Sequence, residues 1–368
     1  MAFKFITFSL LLITSMVTSQ KTRIHKSRPI KTIRVWVMNG DIIDCVDIYK
    51  QPAFDHPALK NHIIQMKSNH LHQETDQKRT ASKVPSQIWQ QYGSCPNGTI
   101  PIRRTSNNRP TNTYPRKVII TPHHSFTVVL TEGFSYSGAK ANIKVWKPYV
   151  ESANDYSSSK VMLRNGPLQT FDNAEAGWAV NPKVYHDNNT RLFAYWTVDG
   201  MKKTGCFDLT CPGFVQTSRE VVLGGDISDL YGSEITIQIS KDPYTSNWFL
   251  KYNNKEVGYW PGEIFPILRH QANLVQWGGE VSSPKVGTHP HTATGMGSGK
   301  FSDFIFGSSG TIKGILIEEN SHPLKRPENL FPSSDEWDCY DAYLQKEYVP
   351  EPVFFYGGPG SRNNPRCP

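Results

Sequence analysis

Two short segments, Ala174–Trp178 (AEAGW) and Trp277–Val281 (WGGEV), decide how this chain is interpreted. Alternate side chains of a β-strand point to opposite faces, so each glutamate shares a face with a glycine, and each tryptophan points the other way. A face without bulky side chains lets another backbone or a ligand come close to a carboxylate. The pattern therefore predicts two strands that present Glu175 and Glu280 to one cleft.

The rest of the C-terminal body has the alternation typical of strands. Apolar and polar residues alternate over Arg191–Val198 and Glu234–Ser240, and Trp248–Tyr259 contains a hairpin with an Asn-Asn turn. One short helix is expected after Pro261. Many short strands separated by Gly, Asn and Asp predict an all-β fold, either a sandwich or a barrel.

The N-terminus predicts export from the cell. Residues 1–19 contain one basic residue and a mostly apolar run that ends in small residues, which indicates a cleaved secretory signal. The run is too short for a membrane span, and no other segment approaches eighteen apolar residues, so we expect no membrane partner. Glycosylation sequons at Asn97 and Asn188 fit an extracellular protein.

The cysteine count also fits an oxidising compartment. Six cysteines form an even set, and their spacing alone allows fifteen connectivities. Their positions favour local pairing within the body and leave two upstream cysteines for each other. The predicted pairs are Cys206 with Cys211, Cys339 with Cys367, and Cys45 with Cys95.

Charge separates a leader from a body. Residues 1–129 hold 18 basic and 6 acidic residues, a net charge of +12, whereas residues 130–368 hold 22 and 26, a net charge of −4. The basic residues are scattered among Pro, Asn, Gln and Ser without basic-aromatic interleaving, so no nucleic-acid partner is expected. We expect a prosegment over residues 20–130 and a body over 131–368. The strand-like residues near 130 place the processing site between Pro122 and Gly138. Acid should release the leader, because it protonates the carboxylates of the body that attract the basic leader.

Several phrases of the body resemble the plant neprosin family, and two upstream segments resemble its activation peptide. The body phrases are Glu175–Trp178, Thr190–Thr197, Thr204–Cys206, Cys211–Gln216, Gly258–Pro261 and Trp277–Glu280. The upstream segments are Asp44–Pro57 and Cys95–Arg104. The resemblance implies a two-sheet antiparallel β-sandwich, jelly-roll-like, after a smaller prosegment domain that acts as an intramolecular inhibitor.

The resemblance further implies a secreted glutamic endopeptidase that cleaves proline-containing peptides and proteins, with Glu175 and Glu280 as its catalytic pair and no cofactor. Two facing carboxylates repel each other, so one is neutral while the other is ionised, and this state favours an acidic optimum. Most strand glutamates, however, are ordinary solvated residues. A glycoside hydrolase and a non-catalytic cell-wall binding protein remain as alternatives. The segment Ser157–Asn165 differs from the Ile-Trp-type strand expected in relatives, so one cleft wall should differ.

Other site residues are weaker candidates. The motif His289-Pro290-His291 has no third zinc ligand in register, and Ser308-Ser309 lacks a nucleophile elbow. A dense aromatic set suits a core, and part of it could also bound a subsite for the proline ring. The proposed substrate-binding residues are Trp178, Tyr195, Trp196, Tyr259, Trp260, Trp277 and Gly278.

Overall fold

A computed structural model describes residues 32–38, 40–69, 87, 89–90, 93–105, 123–303, 307–320 and 322–368. The predicted secretory signal, residues 1–19, lies outside the described residues. Within the described ranges, no helix has the length and apolar character needed to cross a membrane.

The leader forms a small antiparallel sheet. Its strands, in the order β1-β2-β3, are β1 (Thr32–Met38), β2 (Asp41–Asp47) and β3 (Thr99–Arg103). Three 3-10 turns follow β2, over Ile48–Lys50, Pro52–Asp55 and Pro57–Leu59. The Cys45–Cys95 disulfide, with a Cα–Cα distance of 5.5 Å, fixes β2 to the segment that precedes β3.

Nearly all regular secondary structure in the described part of the body is β-structure. Its strands are β4 (His124–Lys144), β5 (Tyr156–Asn165), β6 (Asp172–Val180), β7 (Arg191–Thr197), β8 (Cys206–Phe207), β9 (Val215–Gln216), β10 (Glu234–Lys241), β11 (Trp248–Tyr252), β12 (Lys255–Trp260), β13 (Ala272–Ser282), β14 (Gly310–Glu319), β15 (Phe331–Ser334), β16 (Asp341–Gln345) and β17 (Val353–Gly357). One helical turn, α1 (Pro182–Tyr185), and 3-10 turns over Ser228–Leu230 and Gly262–Ile264 lie between strands.

One long strand, β4, turns the sheet into two layers. Its first half pairs with β13 and β15, and its second half pairs with β10 and β14. The main path runs β8-β7-β6-β5-β13-β4-β10-β11-β12-β9, so a single antiparallel sheet curls back on itself. Residues from both halves of this path form one hydrophobic cluster. The expected all-β sandwich is confirmed, with one sheet supplying both layers.

Large indole rings fill the space between the layers. Trp178, Trp248, Trp260 and Trp277 are fully buried in the shared core. The indole N–H of Trp178 donates to the carbonyl oxygen of Lys144 at 2.9 Å and links the two layers. The prediction that the tryptophans of the glutamate segments point away from the carboxylates is confirmed.

Local predictions for the body have mixed outcomes. The hairpin turn is confirmed, and both Asn253 and Asn254 adopt positive φ angles, of 48° and 64°. The prediction of a helix after Pro261 is wrong, because the chain forms a 3-10 turn over Gly262–Ile264 there. Pro266 has no N–H with which to continue an α-helix by donating to the carbonyl of Gly262.

All three predicted disulfides are present. Besides the leader bridge, Cys206 joins Cys211 and Cys339 joins Cys367, with Cα–Cα distances of 5.8 and 4.7 Å. The two asparagines of the sequons, Asn97 and Asn188, are exposed.

The leader contacts the body at the β9 edge. The side-chain amide of Gln51 donates to the carbonyl of Gln216 at 3.1 Å and accepts from its N–H at 2.7 Å, as a neighbouring strand would. Ala53 and Leu59 are buried in the core of the body. The leader therefore covers one end of the space between the layers.

The main ion pair between leader and body has the reverse polarity to that expected from net charge. Asp41 of the leader accepts from the buried guanidinium of Arg191 at 2.7 Å and also from Arg103 of the leader. The carboxylate is thus on the basic leader and the cation on the acidic body. The net charges of leader and body therefore do not predict which charged groups pair between them.

Candidate active site

Strand order brings the two glutamates to one face. β5 lies between β6 and β13, with Glu175 opposite Met162 and Glu280 opposite Ser158. Directly opposed residues of an antiparallel pair share a face. Both carboxylates therefore project from the same side of the sheet, on either side of Lys160.

The two glycines of the glutamate segments allow the strands to approach closely. Gly177 and Gly278 lie opposite Lys160 on its two neighbouring strands. A Cβ on Gly177 would meet the carbonyl oxygen of Ser159 at 1.9 Å, and one on Gly278 would meet that of Thr127 at 2.3 Å. These positions carry no side chain that would compete with Lys160 for the space above the sheet.

A buried ammonium group joins the two carboxylates. The Nζ of Lys160 lies 3.0 Å from Oε1 of Glu175 and hydrogen-bonds to Oε2 of Glu280. All three side chains are buried, with exposed fractions of 3% or less. The same ammonium lies 5.4 Å from the ring centre of Phe126, within range of a cation–π interaction.

The two carboxylates have unequal hydrogen-bond partners. Glu280 Oε1 accepts from the hydroxyl of Tyr156 at 2.6 Å and lies 2.5 Å from Nδ1 of His124. Glu175 Oε2 accepts from the side-chain amide of Asn173 at 3.1 Å. More donors therefore stabilise a negative charge on Glu280 than on Glu175.

The electrostatics separate the two carboxyl groups further. Burial raises the pKa of Glu175 to about 7, with the charge of Glu280 adding to the effect and Lys160 opposing it. Burial also opposes ionisation of Glu280, but the charge of Lys160 and the hydrogen bond to His124 hold its pKa well below the usual range. In weakly acidic solution Glu175 is therefore protonated and Glu280 is ionised.

An aromatic wall adjoins Glu175 on the same face. Tyr195 is directly opposite Glu175, and the Phe207 ring lies 4.8 Å from the ring of Tyr195 and 6.0 Å from that of Tyr156. Phe193 packs on the same Phe207 ring at 5.8 Å. The wall is apolar, and one of its rings carries a hydroxyl that touches the Glu280 carboxylate.

The structure separates the proposed substrate-binding residues into three groups. Tyr195 and Gly278 lie on the glutamate face, whereas four tryptophans pack in the core on the opposite side of the sheet. Those tryptophans are Trp178, Trp196, Trp260 and Trp277. Tyr259 uses its hydroxyl to contact the leader, at 2.8 Å from Nε2 of His62.

Several residues of the site were not predicted from the sequence. Lys160 lies in a segment noted only for its departure from the expected strand, although the alternation of β5 places it between Ser158 and Met162 on one face. His124 and Phe126 lie in a region assigned to the leader. The boundary drawn at residue 130 falls inside β4, whose first half pairs with β13.

The histidine motif has a structural partner. Nε2 of His291 lies 3.1 Å from a carboxylate oxygen of Glu336, and the ring is buried. The nearby sulfur atoms of Cys339 and Cys367 belong to a disulfide. A bonded disulfide does not supply the thiolates that a zinc site requires.

Known family models match both parts of the chain. The neprosin family model matches residues 153–359, and the neprosin activation peptide model matches residues 34–112. The chain belongs to the neprosin family. The activation peptide match covers the leader, and the neprosin match covers the strands that carry Glu175, Lys160 and Glu280. This membership supports a peptidase that is made with an activation peptide.

The solved structures that this chain matches are distant in sequence. Scytalido-glutamic peptidase with a peptide-based transition state analog is 8% identical, with a TM-score of 0.37 over 64% of this chain and 97% of that chain. SCP-B, an eqolisin peptidase in complex with the tripeptide Ala-Ile-His, is 8% identical, with a TM-score of 0.35 over 64% and 96%. A glycoside hydrolase family 16 endo-glucanase from Bacteroides ovatus is 11% identical, with a TM-score of 0.28 over 43% and 66%.

Proposed function

We propose that this protein is a secreted glutamic endopeptidase, made as a zymogen, which hydrolyses peptide bonds next to proline at acidic pH. The observation that carries the proposal is the position of Glu175 and Glu280 on one sheet face, with hydrogen-bond partners that favour a charge on Glu280 and a proton on Glu175. Such a pair provides a general acid and a general base together.

The electrostatic asymmetry assigns a role to each glutamate. Ionised Glu280 accepts a proton from water as the water oxygen bonds to the peptide carbonyl carbon, and Glu175 gives its proton to the carbonyl oxygen. The C–N bond of the resulting diol then breaks, with the proton on Glu280 passing to the leaving nitrogen. One diol proton returns to Glu175, so both groups recover their starting states.

The aromatic wall is the proposed location of the proline subsite. Tyr195, Phe207, Phe193 and Tyr156 lie beside Glu175 on the catalytic face. A pyrrolidine ring is compact and apolar and packs well on aromatic rings. We propose these residues in place of the tryptophans, which lie in the core on the opposite face of the sheet.

The position of β4 limits where processing can take place. His124 contacts Glu280, and Phe126 lies under the Lys160 ammonium. A cut after either residue would remove part of the site and split a strand that pairs with β13. We therefore place the activating cleavage before His124, within the N-terminal part of the interval expected from sequence or upstream of it.

Secretion and glycosylation are part of the same proposal. Three disulfides and the exposed sequon asparagines, Asn97 and Asn188, suit an oxidising and extracellular environment. The leader then serves as an intramolecular partner that remains docked until it is cut.

The test uses the purified secreted protein at pH 4 and pH 7. Mass spectrometry should show a new N-terminus before His124 and cleavage of a proline-containing protein next to proline, both faster in acid. Glu175→Gln and Glu280→Gln should each slow the cleavage of added protein by about a hundredfold or more. Normal proteolysis by both folded variants would rule out the proposed chemistry, and the glycosidase and binding-protein alternatives would then be tested with polysaccharides.

A further inference from the structure

Lys160 has no role in the mechanism above, yet it lies at the centre of the site. We infer that Lys160 is a positioning residue whose buried ammonium binds both carboxylates at once and so limits the pair to a single shared proton. The catalytic consequence of this inference rests on the proposed peptidase function, whereas the charge coupling itself does not.

The strand register determines where the side chain of Lys160 lies. Its neighbours across the sheet are Gly177 and Gly278, so its side chain extends over two positions without side chains. Only 3% of the side chain is exposed. A lysine usually keeps its ammonium in water, and burying it is costly unless partners compensate the charge. Here the compensating groups are the two glutamates.

The charged and titratable groups around Lys160 come from every neighbouring strand. Glu175 is on β6, Glu280 on β13, His124 on β4, Tyr156 on β5 itself and Tyr195 on β7. Two carboxylates face one ammonium. Among these three groups one negative charge therefore remains in excess when both glutamates are ionised, and a proton on one glutamate removes that excess.

The hydrogen bonds determine which glutamate takes the proton. Lys160 contacts both carboxylates, but Glu280 also receives the Tyr156 hydroxyl and contacts His124, whereas Glu175 receives only the Asn173 amide in addition. Ionisation is therefore more favourable at Glu280. Burial opposes a charge on Lys160, but the two carboxylates raise its pKa, so it stays charged while the pair titrates.

The inference predicts a shift in the pH–activity profile. Lys160→Gln keeps a hydrogen-bonding side chain and removes the positive charge, so Glu175 should hold its proton to higher pH. The alkaline limb of kcat/KM for the activated enzyme should move up by about one pH unit or more, since loss of a close opposite charge typically raises a carboxyl pKa by about 1–3 units. Lys160→Arg, which retains the charge, should keep the limb near its original position.

Lys140 provides a matched control. It is also buried, but it pairs with Gln238 in the other layer of the sandwich. Lys140→Gln should leave both limbs of the profile where they are. An unshifted limb in a folded Lys160→Gln variant would overturn the inference.

A second experiment needs no catalysis. Urea unfolding of the full chain should show that Lys160→Gln loses more stability at pH 8 than at pH 4. Acid protonates Glu175, so at pH 4 the ammonium compensates one ionised carboxylate instead of two. Adding Glu175→Gln should remove most of this pH dependence. Equal losses at both pH values would show that Lys160 acts only through packing and would overturn the inference.

The two experiments separate this inference from the proposed function. A wild type without proteolytic activity would refute the peptidase, while the unfolding data would still test the charge coupling. If Lys160→Gln does not accumulate, the double variant with Glu175→Gln should accumulate, because it removes a carboxyl group together with the ammonium. Failure of that double variant as well would overturn the charge argument.

Discussion

Replacement of Glu175 by glutamine should remove a loss of stability that the wild type shows as the pH rises from 4 to 8. The folded state raises the pKa of this carboxyl from an ordinary 4.5 to about 7. The folded protein therefore binds the proton more tightly than the unfolded chain does, and ionising Glu175 costs folding free energy. That cost is absent below about pH 4.5, grows as the pH rises and is complete above about pH 7.

The magnitude follows from the size of the pKa change. One pKa unit corresponds to about 1.4 kcal/mol, so the change at Glu175 corresponds to about 3 kcal/mol. The glutamine side chain cannot ionise and keeps nearly the same shape. At each pH, the stability difference is the unfolding free energy of Glu175→Gln minus that of the wild type. This difference should be about 3 kcal/mol larger at pH 8 than at pH 4.

The assay is urea unfolding at pH 4, 6 and 8, with the wild type and the variant measured in parallel. Asp208 is buried and also has a pKa raised to about 7, chiefly by burial, but it is present in both proteins and its contribution cancels in the difference. Glu347→Gln, at an exposed loop position, serves as the control and should show no pH-dependent difference. A stability difference for Glu175→Gln that is the same at pH 4 and pH 8 would refute the reasoning.

Three further predictions concern activity and activation. Glu175→Gln and Glu280→Gln should each lower turnover by about a hundred- to ten-thousand-fold, and the double variant should be little worse than either. Steady-state kinetics on a proline-containing substrate measure these losses. Additive losses in the double variant would contradict a coupled pair. Asp41→Asn should leave the buried guanidinium of Arg191 without its leader carboxylate. Limited proteolysis should therefore release the leader at least tenfold faster than in the wild type. Equal rates would show that this contact does not hold the leader. Phe207→Ala should raise KM for proline-containing peptides several-fold more than for matched alanine peptides, and an equal rise for both would argue against the aromatic subsite.

Much of the fold was predictable because it depends on short-range geometry. The period of two along a strand places Glu175 and Glu280 on faces with glycines and their neighbouring tryptophans in the core, whatever the rest of the chain does. The Asn253-Asn254 turn follows from the tolerance of asparagine for positive φ. Cys206 and Cys211 are only 5 residues apart, so their pairing needs no knowledge of the fold.

The composition of the site depended on strand order, which no local period encodes. Lys160 lies between the glutamates because β5 pairs with both β6 and β13, although β5 and β13 are more than a hundred residues apart in the chain. His124 joins them because β4 continues from the leader boundary into the sheet.

Net charge also did not predict which ion pair forms between leader and body. The chain as a whole predicted a basic leader on an acidic body. The shortest ion pair between them nevertheless joins a leader aspartate, Asp41, to a body arginine, Arg191, whereas the contact of expected polarity between Arg103 and Asp187 is longer, at 3.9 Å. Sequence alone therefore determined which face each glutamate occupies, since the backbone alternates locally. Only the tertiary structure decided that an ammonium lies between them, because non-local packing determines which strands become neighbours.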